Sequence, residues 1–365
     1  MTRQNLLILS VCGAALLAAC KEEKKPEPAA TTSAAAAPSA APAPAQLSPS
    51  DVSAFGALPK EMTSEKNPIT EPKVELGRML YYDARFSKNQ DISCNSCHDL
   101  EKFGVDGKPV SEGHKGQKGG RNGPTVYNAA GQFVQFWDGR AADVEEQAKG
   151  PVTNPVEMAM PADKDVLAVI NSIPEYVDAF KKAFPDDKTA VSFDNFGKAI
   201  GAFERKLVTP SRWDKFIGGD ASALTDEEKR GAKLFMDTGC TTCHAGPYVG
   251  GQMYQKAGLV KPWPNQKDQG RFEVTKNDSD KMMFKVPVLR NIAKTGPYFH
   301  DASATTLEQA VTIMADHQLG KRLEEAQVKD IVAFLNALTG DVPSDLIKKP
   351  ELPKSTAKTP KPNPN

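Results

Sequence analysis

The chain has 365 residues, 39% of them hydrophobic, and its 46 Lys and Arg residues balance 46 Asp and Glu residues. A balanced charge gives no reason to expect nucleic-acid binding, so a docking partner must use local patches. About 300 residues lie between two low-complexity ends, which is enough for two domains.

Residues 1–19 predict a secretory signal. Arg3 precedes an apolar run, Leu6–Leu17, that is too short to span a bilayer. Leu-Ala-Ala then precedes Cys20, which resembles a bacterial lipobox, so we expect cleavage there and lipidation of Cys20. The alternative is an ordinary signal peptide that is cut nearby.

Residues 20–47 predict a disordered N-terminal tether, because they are rich in Ala and Pro and lack apolar periodicity. Lys21, rather than Asp, follows Cys20, which resembles sorting to the outer membrane of Gram-negative bacteria. We therefore expect a periplasmic protein that a lipid anchors to this membrane.

An amphipathic helix through Leu76–Tyr82 ends shortly before Cys94-Asn-Ser-Cys97-His98. Cys-x-x-Cys-His is typical of haem c attachment, in which both thiols bond to the haem and the histidine is placed to ligate iron. A zinc site built from two Cys-x-x-Cys pairs is the alternative. Haem is favoured because a second pentapeptide lies far downstream and also ends in histidine.

His114 follows in a glycine-rich, charged segment that predicts a mobile loop. The chain has five histidines, and His114, His300 and His317 remain once the two haem pentapeptides are counted. Two interpretations of His114 stay open, a detachable haem ligand and an exposed histidine without a role. No role is predicted for His317.

Trp137, Gln147 and Glu157 come next. A carboxylate and a carboxamide beside a haem can handle the protons of peroxide. Taken alone, however, Gln147 and Glu157 are typical of an ordinary protein surface.

Helical spacing covers 166–183 and 193–207, and no sustained strand alternation is visible. Pro210 punctuates the chain, so we place a first haem domain at 48–208 and a second at 209–347. The predicted fold is all-α.

In the second domain, Thr225 and Glu228 form a capping-box pattern before a helix and Cys240-Thr-Thr-Cys243-His244. A closing helix is predicted over 324–338, as in a cytochrome c domain. The similar order of elements predicts an internal duplication. Residues 348–365 are rich in Pro and Lys and predict a disordered tail.

These segments together resemble the bacterial dihaem cytochrome c peroxidase family over Leu76–Leu338. The motifs that carry the resemblance occur in the family's order: Leu76-Gly77, Ser93-Cys94-x-x-Cys97-His98, Asn122-Gly123-Pro124, Trp137-Asp138-Gly139-Arg140, Pro155-x-Glu157-Met158, Phe284-Lys285-Val286-Pro287-x-Leu289-Arg290-Asn291, Thr295-Gly296-Pro297-Tyr298-Phe299-His300-Asp301 and His317-Gln318-Leu319-Gly320.

The resemblance implies two covalently bound haems c. The first, on Cys94, Cys97 and His98, is implied to be peroxidatic, with His114 as its removable sixth ligand. Glu157 is implied as the catalytic acid–base residue. Gln147 is implied as its neighbour and Trp137 as a residue between the haems.

The second haem, on Cys240, Cys243 and His244, is implied to transfer electrons, with Met314 as its distal ligand. Rival assignments are a core role for Met314, or ligation by Met253, Met282 or Met283. The resemblance also implies a supporting role for His300 near this haem, and a calcium ion on Asn122, Thr295 and Pro297.

The predicted function is reduction of hydrogen peroxide to water, with electrons from a small cytochrome c or cupredoxin. The implied enzyme is a homodimer activated by reduction of the second haem. The alternatives are a non-catalytic dihaem electron carrier, a relative that oxidises a protein side chain, and a tethered binding module. Relatives that oxidise a side chain place Tyr where this chain has Met314.

Overall fold

The computed structural model describes residues 47–365. The predicted signal, the lipidation of Cys20 and nearly all of the tether lie outside the described residues. Within them the protein is mainly helical, as predicted, with one short two-stranded antiparallel sheet. None of the described helices combines the length and apolarity needed to cross a bilayer.

Helices supply almost all of the regular structure between residues 71 and 337. In chain order, the helices and strands are α1 Glu71–Tyr82, α2 Cys94–Cys97, α3 Val144–Thr153, α4 Asp163–Asn171, α5 Pro174–Ala183, α6 Phe193–Glu204, α7 Arg212–Ile217, α8 Asp226–Thr238, β1 Tyr254–Lys256, α9 Phe272–Thr275, β2 Met283–Lys285, α10 Leu307–Ile313, a π-helix Met314–Gln318 and α11 Glu325–Ala337.

The first hydrophobic core is built where α1 crosses α6. Thr70 caps α1 by accepting a hydrogen bond from the backbone N of Lys73. Gly77 lies at the crossing, where a Cβ atom would stand 1.9 Å from the carbonyl oxygen of Ala199. A side chain is therefore excluded at Gly77, and the two helix backbones touch.

The second core repeats this arrangement where α8 crosses α11. The predicted capping box begins α8, since Thr225 and Glu228 bond reciprocally. A Cβ atom on Gly231 would stand 1.8 Å from the carbonyl oxygen of Asp330. Each core is thus built around a helix crossing at which a glycine lets two backbones touch.

The helix predicted over 166–183 is in fact two helices. α4 ends at Asn171, and α5 begins at Pro174. Proline lacks the backbone N–H that a continuous helix needs, but it suits the first helical position. The chain therefore breaks and restarts there.

The predicted disorder of residues 348–365 is wrong. This tail leaves the second core and runs along the first domain, where Ile347 joins the first core. Thr356 donates to the carbonyl of Ser172, and the backbone N of Asn363 donates to the carbonyl of Lys88. The Pro- and Lys-rich composition predicted disorder because composition gives no information about hydrogen bonds to residues far away in the chain.

A candidate site with two haem centres

The first centre is presented by the one-turn helix α2. Ser93 caps this turn, and the backbone N of His98 donates to the carbonyl of Cys94 at 2.9 Å. Tyr81 holds the carbonyl of His98 through a 2.7 Å hydrogen bond. Burial lowers the pKa of His98, so its imidazole stays neutral and free to bind a metal.

His114 lies beside Glu157 in the chain segment that follows this centre. The backbone N of His114 donates to the carbonyl of Glu157 at 2.7 Å. Gly113 permits this approach, because a Cβ atom there would lie 2.1 Å from the carbonyl of Val156. His114 is only 6% exposed, so the interpretation as an exposed histidine is wrong.

The predicted mobile loop closes into a small hairpin. Glu112 pairs with Lys118 in an isolated antiparallel bridge. The amide of Gln117 donates to the carbonyls of His114 and Pro155. Hydrogen bonds within the segment replace the apolar anchors that the sequence lacks.

Glu157 is partly buried, and burial raises the pKa of its carboxyl, while Arg140 and Asn154 oppose the shift. Gln147, also partly buried, projects from α3. A carboxyl with a raised pKa is suited to exchanging protons near neutral pH.

The second centre is an apolar cleft of about 1710 Å³, its open mouth included. Cys240, Cys243 and His244 line it together with Met314. Burial lowers the pKa of His244 to about 4, and its Nδ1 atom lies 3.3 Å from the carbonyl of Val249. Of the four methionines considered as ligands, Met314 is the one that lines this cleft; the others are Met253, Met282 and Met283.

Trp137 and His300 both line the second cleft. The indole N–H of Trp137 donates to the carbonyl of Asn122 at 2.9 Å, and its ring centroid is 6.2 Å from that of His300. His300 is buried and stacks on Phe284 at 4.1 Å. Asn122, Thr295 and Pro297 also line this cleft.

The residues present fit two haem groups. The four remaining cysteines are unpaired, as expected if their sulfur atoms bond to haem. Across residues 47–365, no three His, Cys, Asp or Glu side chains converge to hold a metal ion. The second cleft is lined mainly by apolar side chains, as a haem macrocycle requires.

Sequence reasoning missed three features of the site. Trp263 is buried over the second cleft. Lys285 is buried and holds the Trp137 loop, since its backbone N donates to the carbonyl of Trp137 and its ammonium to that of Val134. A π-helix carries Met314. Lys285 belongs to a motif that carries the family resemblance, but no role for this residue could be predicted from the sequence. No sequence pattern predicts the π-helix.

Two helical domains, each with a Cys-x-x-Cys-His turn, define a dihaem c-type cytochrome. The di-haem cytochrome c peroxidase family model matches residues 71–222, and the cytochrome c model matches residues 228–339. The chain belongs to the dihaem cytochrome c peroxidase family and is a peroxidase that carries two haems c.

Several curated relatives are similar over most of their length. Cytochrome c551 peroxidase of Pseudomonas aeruginosa is 48% identical over 84% of this chain and 90% of its own length. The Nitrosomonas europaea protein of the same name is 48% identical over 81% of this chain and 88% of its own. Methylamine utilization protein MauG of Methylorubrum extorquens is 31% identical over 86% of this chain and 92% of its own.

Solved structures agree with the fold. A MauG-like protein associated with microbial copper homeostasis has a TM-score of 0.72 and 29% identity. This match covers 81% of the present chain and 97% of that protein.

Proposed function

We propose that this peroxidase reduces hydrogen peroxide to water at the first centre. Electrons from a small cytochrome c or cupredoxin enter at the second centre. The observation that carries the proposal is the contact between His114 and Glu157, with a hydrogen bond of 2.7 Å. This backbone bond supports the proposal because it joins the residue proposed as the removable ligand to the residue proposed as the acid–base group.

When bound, haem c supplies iron that takes up peroxide and exchanges single electrons. Glu157 accepts a proton from the nearer peroxide oxygen and delivers it to the leaving oxygen, while Gln147 orients the peroxide. Two electrons and two further protons complete the balance to two waters. Positioned acid–base catalysis of this kind contributes about 10²–10⁴-fold.

His114 is proposed as a redox-dependent gate. Entry of an electron at the second centre would release the His114 side chain, and the hairpin around it would reorder so that peroxide could bind at the first centre. If the hairpin reorders, the contacts it loses are the backbone bond from His114 to Glu157 and the two bonds from the Gln117 amide. By reciprocity, opening of the hairpin also favours the reduced second centre.

His244 and Met314 would hold the iron of the second haem when this haem is bound. A Met ligand raises the reduction potential, which suits a centre that receives electrons. We further propose that Asn122, Thr295 and Pro297 hold calcium, that His300 supports the second haem, and that Trp137 couples the centres.

Family membership supports the proposed homodimer. The Leu-Ala-Ala-Cys20 sequence supports a lipid-anchored location in the periplasm, at the outer membrane. Metabolic labelling with a radioactive fatty acid tests the anchor, and loss of label in Cys20→Ser is expected. Sedimentation of the holoenzyme with and without calcium tests the dimer.

The test of catalysis is Glu157→Gln in the holoenzyme. Turnover of peroxide with a reduced small cytochrome c is expected to fall by about 10²-fold or more. Both haems should remain attached by absorbance. Glu146→Gln, which changes an exposed carboxylate on α3, is the matched control and should keep full turnover. Near-normal turnover in Glu157→Gln would sink the assignment.

A second candidate function, oxidation of a protein side chain, is favoured by the similarity to the MauG proteins. Met314 argues against it, since by resemblance those relatives have Tyr at this position. A non-catalytic electron carrier has no need of Glu157. Absence of peroxide turnover in fully loaded, pre-reduced enzyme would favour the carrier.

A further inference from the structure

Helix α10 does not end as an ordinary α-helix. Thr306 and Gln309 form a capping box at its start, and after Ile313 it widens into the π-helix Met314–Gln318. A π-helix inserts a residue into a turn and redirects the side chains that follow, at the cost of weaker hydrogen bonding. Met314, the proposed iron ligand, is its first residue.

Gln318 ties this π-helix to the chain that follows β1. Its amide N donates to the carbonyl of Lys256 at 2.9 Å, and its amide O accepts from the backbone N of Gly258 at 3.1 Å. Both ends of one side chain are used, so Gln318 fixes the distance between the π-helix and this loop.

His317 makes a second connection to the same loop, which we define as residues 257–263. Its Nδ1 atom donates to the carbonyl of Pro262 at 2.9 Å. Its own carbonyl accepts from the backbone N of Val260 and of Lys261 at 3.1 and 3.0 Å. The loop thereby satisfies a carbonyl that the ending helix leaves without a partner.

The loop also contributes to the hydrophobic cluster against which Met314 packs. Trp263 is buried, and Met314 packs against the hydrophobic cluster that Trp263 forms with Met282 and Phe284. The Trp263 indole donates to Asp301 at 3.1 Å, and its ring lies 5.8 Å from that of His317. A shift of the loop would therefore move Trp263 and change the packing around Met314.

We propose that Gln318 and His317 are positioning residues that hold Met314 at the second haem iron by locking the π-helix against loop 257–263. This inference rests on the proposed ligation by Met314. If the lock is lost, the turn relaxes and the thioether leaves the iron in part of the population. Because a Met ligand favours ferrous iron, the reduction potential of the second haem then falls.

The test uses the absorption band of Met-ligated ferric haem and the midpoint potential of the second haem, both in the holoenzyme. Gln318→Ala is expected to weaken the band and lower the potential. A tenfold shift of the redox equilibrium corresponds to about 59 mV. Lys329→Ala is the matched control, because it removes an exposed ion pair with Glu227 that involves neither the loop nor the π-helix, so band and potential should stay unchanged.

Gln318→Glu is a second, more conservative variant, which keeps the test valid if the alanine variant misfolds. It keeps the acceptor for Gly258 but loses the donor to Lys256, so a smaller change in the same direction is expected. An unchanged band and potential in both Gln318 variants would overturn the lock. Met314→Ala separates the proposed ligation from the proposed lock. If the Met-ligation band disappears in Met314→Ala but stays unchanged in Gln318→Ala, the ligand assignment stands and only the lock is rejected. A band that persists in Met314→Ala rejects both.

Discussion

Glu204 is an ionisable side chain buried outside the proposed mechanism. It is the last residue of α6 and is 4% exposed. Burial raises the pKa of its carboxyl to about 8, repulsion from Glu145 adds to the shift, and Arg205 opposes it. Glu204 is therefore protonated near neutral pH in the folded protein, whereas it is ionised there in the unfolded chain.

This difference makes stability depend on pH. Because the folded pKa lies above the ordinary value of 4.5, the contribution of Glu204 is fully present below pH 4.5 and is lost as pH rises through about 8. Each pKa unit corresponds to about 1.4 kcal/mol. We expect Glu204→Gln to flatten the decline of the apparent Tm between pH 5 and pH 9.

Thermal unfolding of the holoenzyme at several pH values measures this effect. Glu146→Gln, on the exposed side of α3, should keep the slope of the parent protein. A parent-like slope in Glu204→Gln would mean that this carboxyl does not govern the dependence.

A second prediction at this scale concerns His114. His114→Gly removes the imidazole but keeps the hairpin backbone, so peroxide turnover should begin in fully oxidised enzyme without prior reduction. Lys115→Gly changes the neighbouring exposed residue, whose φ is 59°, and should still require reduction. Continued dependence on reduction in His114→Gly would argue against the gate.

At the scale of elements, the two helix crossings depend on glycines that bring backbones into contact. A Cβ atom at Gly77 or Gly231 would lie within 2 Å of a carbonyl oxygen on the partner helix. Since a helix backbone cannot yield like a flexible side chain, an added methyl group must push the helices apart.

We expect Gly231→Ala to destabilise the second domain by about 1–3 kcal/mol. Gly150→Ala is the contrasting change, because its Cβ atom would meet only the ring of Phe136, at 3.6 Å. That variant should be neutral or gain about 0.5–1 kcal/mol from its lower backbone entropy in the unfolded state. Denaturant unfolding of both holoproteins measures the difference, and equal stabilities would show that the α8–α11 crossing adapts.

Sequence periodicity predicts these helices well, because α8 and α11 each bury one face. The sequence also brings out the haem pentapeptides and, by resemblance, the residues that line the second cleft. It cannot reveal the π-helix at Met314, since the locking bonds come from a loop far away in the chain. Nor can it reveal the burial of His114, which depends on a backbone contact with Glu157.

At the scale of the whole molecule, the chain returns at its end to the first domain. Thr356 and Thr359 bond to Ser172, and Gln90 donates to the carbonyl of Pro360. The backbone N of Lys88 in turn donates to the carbonyl of Met158, next to Glu157. The tail therefore holds residues 88–90, which lie just before the first haem-attachment motif, through hydrogen bonds.

Deletion of residues 348–365 is expected to lower the apparent Tm, by about 2–4 °C for each kcal/mol lost. Hydrogen exchange should increase around Ser172 and Lys88 and remain unchanged across α8 and α11. Deletion of residues 364–365 alone is the control, because these residues are exposed. Parent-like exchange in the longer deletion would show that the tail contributes nothing to the first domain.

The same tail sets an order of assembly. Thr359 bonds to Ser172 from the far end of the chain, so the first domain is complete only when the last residues of the chain are in place. The α8–α11 crossing can form as soon as residue 337 has been made, while the first domain still lacks the strand of chain that covers it. The centre whose attachment motif is synthesised first is thus the one whose protein shell closes last.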